Sequence, residues 1–138
     1  MKTAKILHQA PVLFASDLSK TIAYWNDKVG FHSRNIVGKP PEFAILGRDG
    51  AFVILRQTPR DHKITPYWKI QDALWNAYFW VDDARTLFEE LKARGATIDY
   101  ELCKQPYNVL EFGIQDPDHQ DIGFGQELNP SLHQNRNA

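Results

Sequence analysis

Cysteine and methionine each occur once in this chain of 138 residues. A lone Cys103 excludes an internal disulfide framework and suits a reducing, cytoplasmic setting. Placed in a predicted strand, its thiol reads as packing rather than as a nucleophile. No apolar run reaches the roughly 20 residues that a bilayer-spanning helix requires, and Met1-Lys2-Thr3 leads straight into a predicted strand. Neither sign of charge is in excess. Sixteen Lys and Arg against 17 Asp and Glu leave a formal net charge of -1, which gives no electrostatic basis for binding nucleic acid or an anionic membrane. Two catalytic motifs are missing as well. Gly113, Gly123 and Gly125 lie in predicted strands rather than at a helix start, so no phosphate-cradling loop is formed. No Gly-x-Ser-x-Gly elbow is present, and Cys103 has no histidine partner evident in the sequence.

What is present is an ordinary globular composition, 43% hydrophobic and 24% charged, of a size for one domain or two small modules sharing a core. Residues 6 to 16 (ILHQAPVLFAS) predict a strand that Pro11 makes irregular or an edge. Asp17 is placed to cap a helix from Leu18 to about Val29, with Leu18, Ile22, Trp25 and Val29 on one face and Gly30 just past its end. FHSRNIV, EFAILG and AFVILRQ follow as strands, separated by Gly38-Lys39-Pro40-Pro41 and Arg48-Asp49-Gly50. The second half repeats this order. LWNAYFWV (74 to 81) predicts a strand, and Asp82 or Asp83 caps a helix with Ala84, Leu87, Phe88 and Leu91 on its apolar stripe, ending at Arg94-Gly95. ATIDYELC, NVLEFGIQ and DIGFG supply three more strands. Two halves of the same order and size predict an internal duplication: modules at 6–57 and 73–127 within a domain of residues 1–128, a polar linker at 58–72, and a flexible tail at 129–138.

Three stretches carry a resemblance: DLSKTIAYWNDKVGF in the first module, then VDDARTLFEELKARGA and LEFGIQDPDHQDIGF in the second. On these the chain resembles the vicinal oxygen chelate superfamily, which includes glyoxalase I, extradiol dioxygenases and the fosfomycin- and bleomycin-resistance proteins. The resemblance spans about residues 6 to 127. It implies an α+β fold of two βαβββ modules, forming a cup-shaped mixed sheet with helices outside. One departure stands in the turn, which usually reads Asp-Pro-Asp-Gly and here carries His119 in place of the glycine.

In metal-dependent members the cup holds one divalent ion through four side chains, from the first and fourth strand of each module. By local landmarks those positions fall here on Ala10, Ile54, Asn76 and Gly123. Hard or borderline cations need carboxylate, imidazole or thiolate donors, so the expectation is a site without metal or other cofactor. A rebuilt site using His8, Glu111, His119 or Glu127 is the alternative, against a plain reading of these as solvated strand ends and turn residues.

Without the metal, the chain resembles most the bleomycin-resistance group, which implies a homodimer that sequesters an aromatic or glycopeptide-type small molecule at the dimer interface and confers antibiotic resistance without catalysis. The near-neutral charge argues against a cationic bleomycin itself. The rival expectation is an enzyme, a glyoxalase- or dioxygenase-like lyase or isomerase with a non-standard metal site. Strand alternation places Asn76, Tyr78 and Trp80 on the cup face and Ala77, Phe79 and Val81 against the helices. The same alternation turns Val12, Phe14, Phe52, Ile54 and Arg56 into the cup. The predicted ligand-binding set is therefore Phe14, Phe52, Arg56, Tyr67, Trp68, Asn76, Tyr78, Trp80 and Glu111. In it the aromatics stack on a flat ligand, Arg56 anchors an anion, Glu111 faces a cation, and Tyr67 and Trp68 form a lid or grip the partner chain. Alternatively the rings only fill the dimer interface, and Arg56 and Glu111 only face solvent. No catalytic residue is assigned.

Overall fold

The structure is a computed structural model that describes residues 1–129. It forms two compact units, Met1–Ile64 and Thr65–Ala138, so the boundary falls inside the predicted linker. Each unit has the order strand, helix, three strands, and each sheet has four strands with its first strand parallel to its fourth. This is the α+β arrangement of two βαβββ modules.

In the first unit β1 is Val12–Ala15, α1 is Leu18–Tyr24, and β2, β3 and β4 are His32–Val37, Phe43–Arg48 and Ala51–Gln57. The strand predicted over 6 to 16 shrinks to four residues. Pro11 has no N–H for the ladder, although its carbonyl still accepts the Ile54 N–H at 3.0 Å. Asp17 caps α1 by accepting the Lys20 N–H. The helix does not run uniformly to Val29: from Trp25 to Val29 it widens into a π-helical turn, closed by Gly30 in the left-handed region at φ 76°. Trp25, Val29 and Leu18 are buried, as are Leu46, Val53 and Leu55 of the sheet, and the Trp25 ring meets Phe31 edge-on.

In the second unit β5 is Ala77–Trp80, α2 is Ala84–Arg94, and β6, β7 and β8 are Thr97–Gln105, Val109–Gln115 and Asp121–Glu127. Of the two candidate caps, Asp83 is the one used; its carboxylate accepts the Thr86 N–H at 3.0 Å and the Thr86 hydroxyl at 2.8 Å. Those bonds hold its carboxyl below the usual range. Gly95 ends α2 in the left-handed region. The core under α2 is aromatic. Phe112 stacks on Phe124 with centroids 5.2 Å apart, Phe79 stacks on Phe124 from the other side, and Phe88 of the helix meets Phe112 edge-on.

The duplication extends to a side-chain device. The Gln57 amide oxygen at the end of β4 accepts the Leu18 N–H at the start of α1, 2.9 Å away. At the same place in the second unit, Gln126 of β8 accepts the Ala84 N–H of α2 at 3.0 Å. In both units the fourth strand thereby ties down the first turn of its helix and satisfies a donor that a helix start leaves open.

Candidate ligand-binding site

Of the predicted site residues, Phe14, Phe52, Arg56, Tyr78, Trp80 and Glu111 lie on strands, Asn76 just before β5, and Tyr67 and Trp68 in a short 3-10 helical turn, Tyr67–Lys69. In the first unit Leu13, Val53 and Leu55 are buried, while Val12, Phe14 and Arg56 are exposed and Phe52 and Ile54 half-buried. Phe14 lies beside Arg56 in register, with its ring 5.4 Å from that of His62. Phe52 lies across Gly47, where an added Cβ would come within 2.8 Å of the ring. His8 packs against the same ring at 5.2 Å, and the Arg34 guanidinium stands over it at 5.9 Å.

In the second unit the face opposite α2 is built around Glu111. This carboxylate is 1% exposed, not solvent-facing. Its Oε1 accepts the hydroxyls of Tyr78 at 2.9 Å and Tyr107 at 2.6 Å. Its Oε2 accepts the Tyr100 hydroxyl at 2.7 Å and the Gln105 amide at 3.2 Å. All four partners donate, which matches the acceptor-only carboxylate. Among the described residues no Lys, Arg or His forms an ion pair with it.

Why these side chains meet is readable in the sheet. β5 and β7 are separated by β8, so Tyr78 reaches Glu111 only by lying across β8. It passes over Gly123 and Gly125, and Gly125 stands opposite Glu111. An added Cβ at Gly125 would collide with the Tyr78 hydroxyl, and at Gly123 it would meet Trp75 Nε1 and Tyr78 Cδ2, both at 2.7 Å. From the other side Tyr100 of β6 lies across Gly113 in the same way. Register shifts flank Tyr100 in β6. Without them, alternation would send Tyr100 and Cys103, three residues apart, to opposite faces. The Trp75 indole N–H completes the layer by donating to the Tyr100 hydroxyl at 2.9 Å. Trp75, Tyr78 and Trp80 form a row of edge-to-face rings, with centroids 4.6 Å and 5.1 Å apart.

Burial first, and then the bond to Glu111, push the hydroxyls of Tyr78, Tyr100 and Tyr107 far above their ordinary range. They stay protonated, which suits donors and does not suit general bases working near neutral pH. Burial and then the Glu111 charge also raise the Cys103 thiol, the opposite of what a nucleophilic thiolate requires.

The other predicted residues have separate neighbours. The Asn76 amide accepts the Tyr67 N–H at 3.1 Å and donates to Gln120 at 3.2 Å. The Trp68 indole donates to the His119 carbonyl at 2.6 Å. Tyr67 and Trp68 are thus fastened to their own unit through Asn76 and the β7–β8 turn. Tyr78, Trp80 and Glu111 are brought together. Trp75, Tyr100, Gln105 and Tyr107 lie outside the predicted set. Their signal was the glycine triplet at 113, 123 and 125, a strip of bare backbone that needs large side chains laid over it.

The residues present do not fit a divalent ion at the four positions that the resemblance implies. Ala10 and Ile54 offer hydrocarbon, Gly123 lies under Trp75 and Tyr78, and both polar atoms of the Asn76 amide are engaged. Among the described residues no group of three His, Cys, Asp or Glu could hold a metal. Of the substitutes considered, His8 packs on Phe52, His119 is exposed, Glu127 accepts the Asn129 N–H, and Glu111 is filled by its four donors.

Comparison with known proteins decides the family. The profile of the Glyoxalase/Bleomycin resistance protein/Dioxygenase superfamily matches residues 5–124. The chain belongs to this superfamily. Among solved structures, TioX from Micromonospora sp. ML1 is similar with a TM-score of 0.68 at 20% identity, covering 88% of this chain and 98% of its own. UcmS2 is similar at 0.67 and 18% identity, covering 88% and 98%. The bleomycin-binding protein from bleomycin-producing Streptomyces verticillus, complexed with copper(II)-bleomycin, is similar at 0.66 and 24% identity, covering 88% and 97%. At these identities the likeness shows the fold. No curated protein matches significantly. Among the described residues no helix is long and apolar enough to cross a membrane.

Proposed function

We propose that this superfamily member binds and sequesters a small aromatic or glycopeptide-type molecule without catalysis, as a homodimer in the cytoplasm, with drug resistance as the consequence. The observation that carries the reading is the ring layer of the second unit. The Trp75 N–H and the hydroxyls of Tyr78, Tyr100 and Tyr107 are bonded within it, yet Trp80 remains 45% and Tyr107 53% exposed. Exposed aromatic surface over a rigid hydrogen-bonded base is what a stacking platform requires. Phe14, Phe52 and Arg56 are the proposed contacts on the first unit. Tyr67, Trp68, Asn76, Tyr78, Trp80 and Glu111 are those on the second, with Asn76 and Glu111 holding the others in place. The unsuitable donors at positions 10, 54, 76 and 123 and the firmly protonated tyrosines support binding over metal-assisted turnover.

Ligand titration is expected to quench tryptophan fluorescence. Trp80→Ala should weaken binding at least several-fold while leaving the thermal midpoint within a few degrees. Phe79→Ala, which removes a ring stacked on Phe124, should instead cost roughly 3 kcal/mol of stability. Turnover by metal-loaded protein that is lost after chelation would sink this reading in favour of an enzyme.

A further inference from the structure

The proposed platform has a charge built into its base. Glu111 is buried with its negative charge balanced only by neutral donors. Three of those donors are phenol hydroxyls. A phenol that donates to a carboxylate gains electron density in its ring, which deepens the negative face that attracts cations. Tyr100 and Tyr78 each turn one side onto glycine backbone, which leaves their opposite sides directed away from the sheet. Trp75 and Trp80 stand at 65° and 67° to Tyr78, and Tyr107, in the turn after β6, stays exposed while its hydroxyl is bonded to Glu111. Perpendicular electron-rich rings above an uncompensated carboxylate are the construction that holds alkylated ammonium groups.

Resting on the binding function proposed above, we infer that Trp75, Tyr78, Trp80, Tyr100 and Tyr107, set over Glu111, form a cation-selective site for a quaternary or tertiary ammonium group on the ligand. The carboxylate acts at one remove, through the tyrosines, because its own lone pairs are filled. The selectivity is local and does not depend on the near-neutral net charge of the chain.

Phenyltrimethylammonium and its neutral isostere tert-butylbenzene separate the two ideas, because they share a ring and a shape and differ in charge. Each is titrated into the full-length protein, with binding followed by tryptophan fluorescence and by ligand-observed NMR. The expected result is a Kd at least tenfold lower for the cation. Glu111→Gln should remove most of that preference, and Tyr107→Phe, at an exposed position that does not threaten folding, should lower cation affinity several-fold without changing affinity for the isostere. Equal affinity for both probes overturns the cation site and leaves the stacking platform standing. Binding of neither overturns the cation site and removes the support for the platform as well. A preference for the cation that survives unchanged in folded Tyr107→Phe and Glu111→Gln also overturns it, since the charge would then be read elsewhere.

Discussion

At the scale of single residues, the glycines of β7 and β8 do the positioning. Gly125 lies beneath the Tyr78 hydroxyl, and no side chain fits between them. Gly125→Ala should displace Tyr78 from Glu111 and cost about 1–3 kcal/mol, the usual range for overpacking a filled site. Gly50→Ala is the control, since an added Cβ there would meet nothing nearer than His8 at 4.0 Å. Thermal unfolding of both variants checks the contrast, and equal midpoints would show that the ring layer shifts without strain. His119 gives the opposite case. It occupies the usual glycine place of the turn at φ 65°, a left-handed conformation that is unfavourable for a residue with a Cβ. His119→Gly should therefore stabilise the protein, by a few tenths to about 1 kcal/mol, in urea unfolding. The bond from Trp68 is unaffected because it is made to the backbone carbonyl.

At the scale of elements, the turn between β7 and β8 carries a pH dependence. Asp116 is buried and accepts the N–H groups of Asp118 and Gln120 and the Gln120 side-chain amide, each at 2.9 Å. Burial dominates these bonds and raises its carboxyl to about 6. The folded state then holds the proton more tightly than the unfolded chain, whose carboxyl titrates near the usual 3.8. Stability from this group is fully present below about pH 4 and is lost as pH rises through about 6, a change of roughly 3 kcal/mol. Asp121 has its carboxyl raised to about 6 as well, by burial and then by neighbouring Asp99, and adds a smaller change of the same sign. Urea unfolding between pH 4.5 and 7 should show stability falling with pH, and Asp116→Asn should flatten most of that slope. A slope unchanged in the variant would place its origin elsewhere.

The elements themselves were legible in the sequence because their signals are local. Among the described residues the eight strands and the two α-helices follow from alternation, capping aspartates and the glycines that end the helices. Where the reading strayed, a backbone irregularity intervened. Pro11 truncates β1, and α1 widens after Tyr24 although its apolar spacing continues to Val29. The site was legible only in part. Tyr78 and Trp80 share a face because β5 alternates regularly. Tyr100 escaped because alternation fails beside it in β6, and Tyr107 because a turn residue has no face to assign. Glu111 is expected from the sequence to face a cation or solvent, because nothing in the pattern reveals that the distant Tyr78 and Tyr100 close over it.

At the scale of the whole molecule, the exposed apolar surface points to a partner copy. Val12 is 67% and Phe14 43% exposed on one sheet face of the first unit, and Trp80 and Tyr107 are similarly open on the second. Exposed apolar side chains on a sheet face mark an interface or a pocket, and each unit is proposed to use its own for both. The expected species in sedimentation velocity at micromolar concentration is a dimer of twice 15.9 kDa. Dilution gives the sharper check. If folding and association are linked, the unfolding midpoint must rise with protein concentration, whereas a monomer's midpoint is independent of it. Phe14→Glu, which places a charge on the exposed face without touching the core beneath, should shift the equilibrium toward monomer and lower affinity for the aromatic ligand together. A variant that becomes monomeric and still binds at full affinity would show that the ring layer of one chain suffices, and that the second copy contributes nothing to the site.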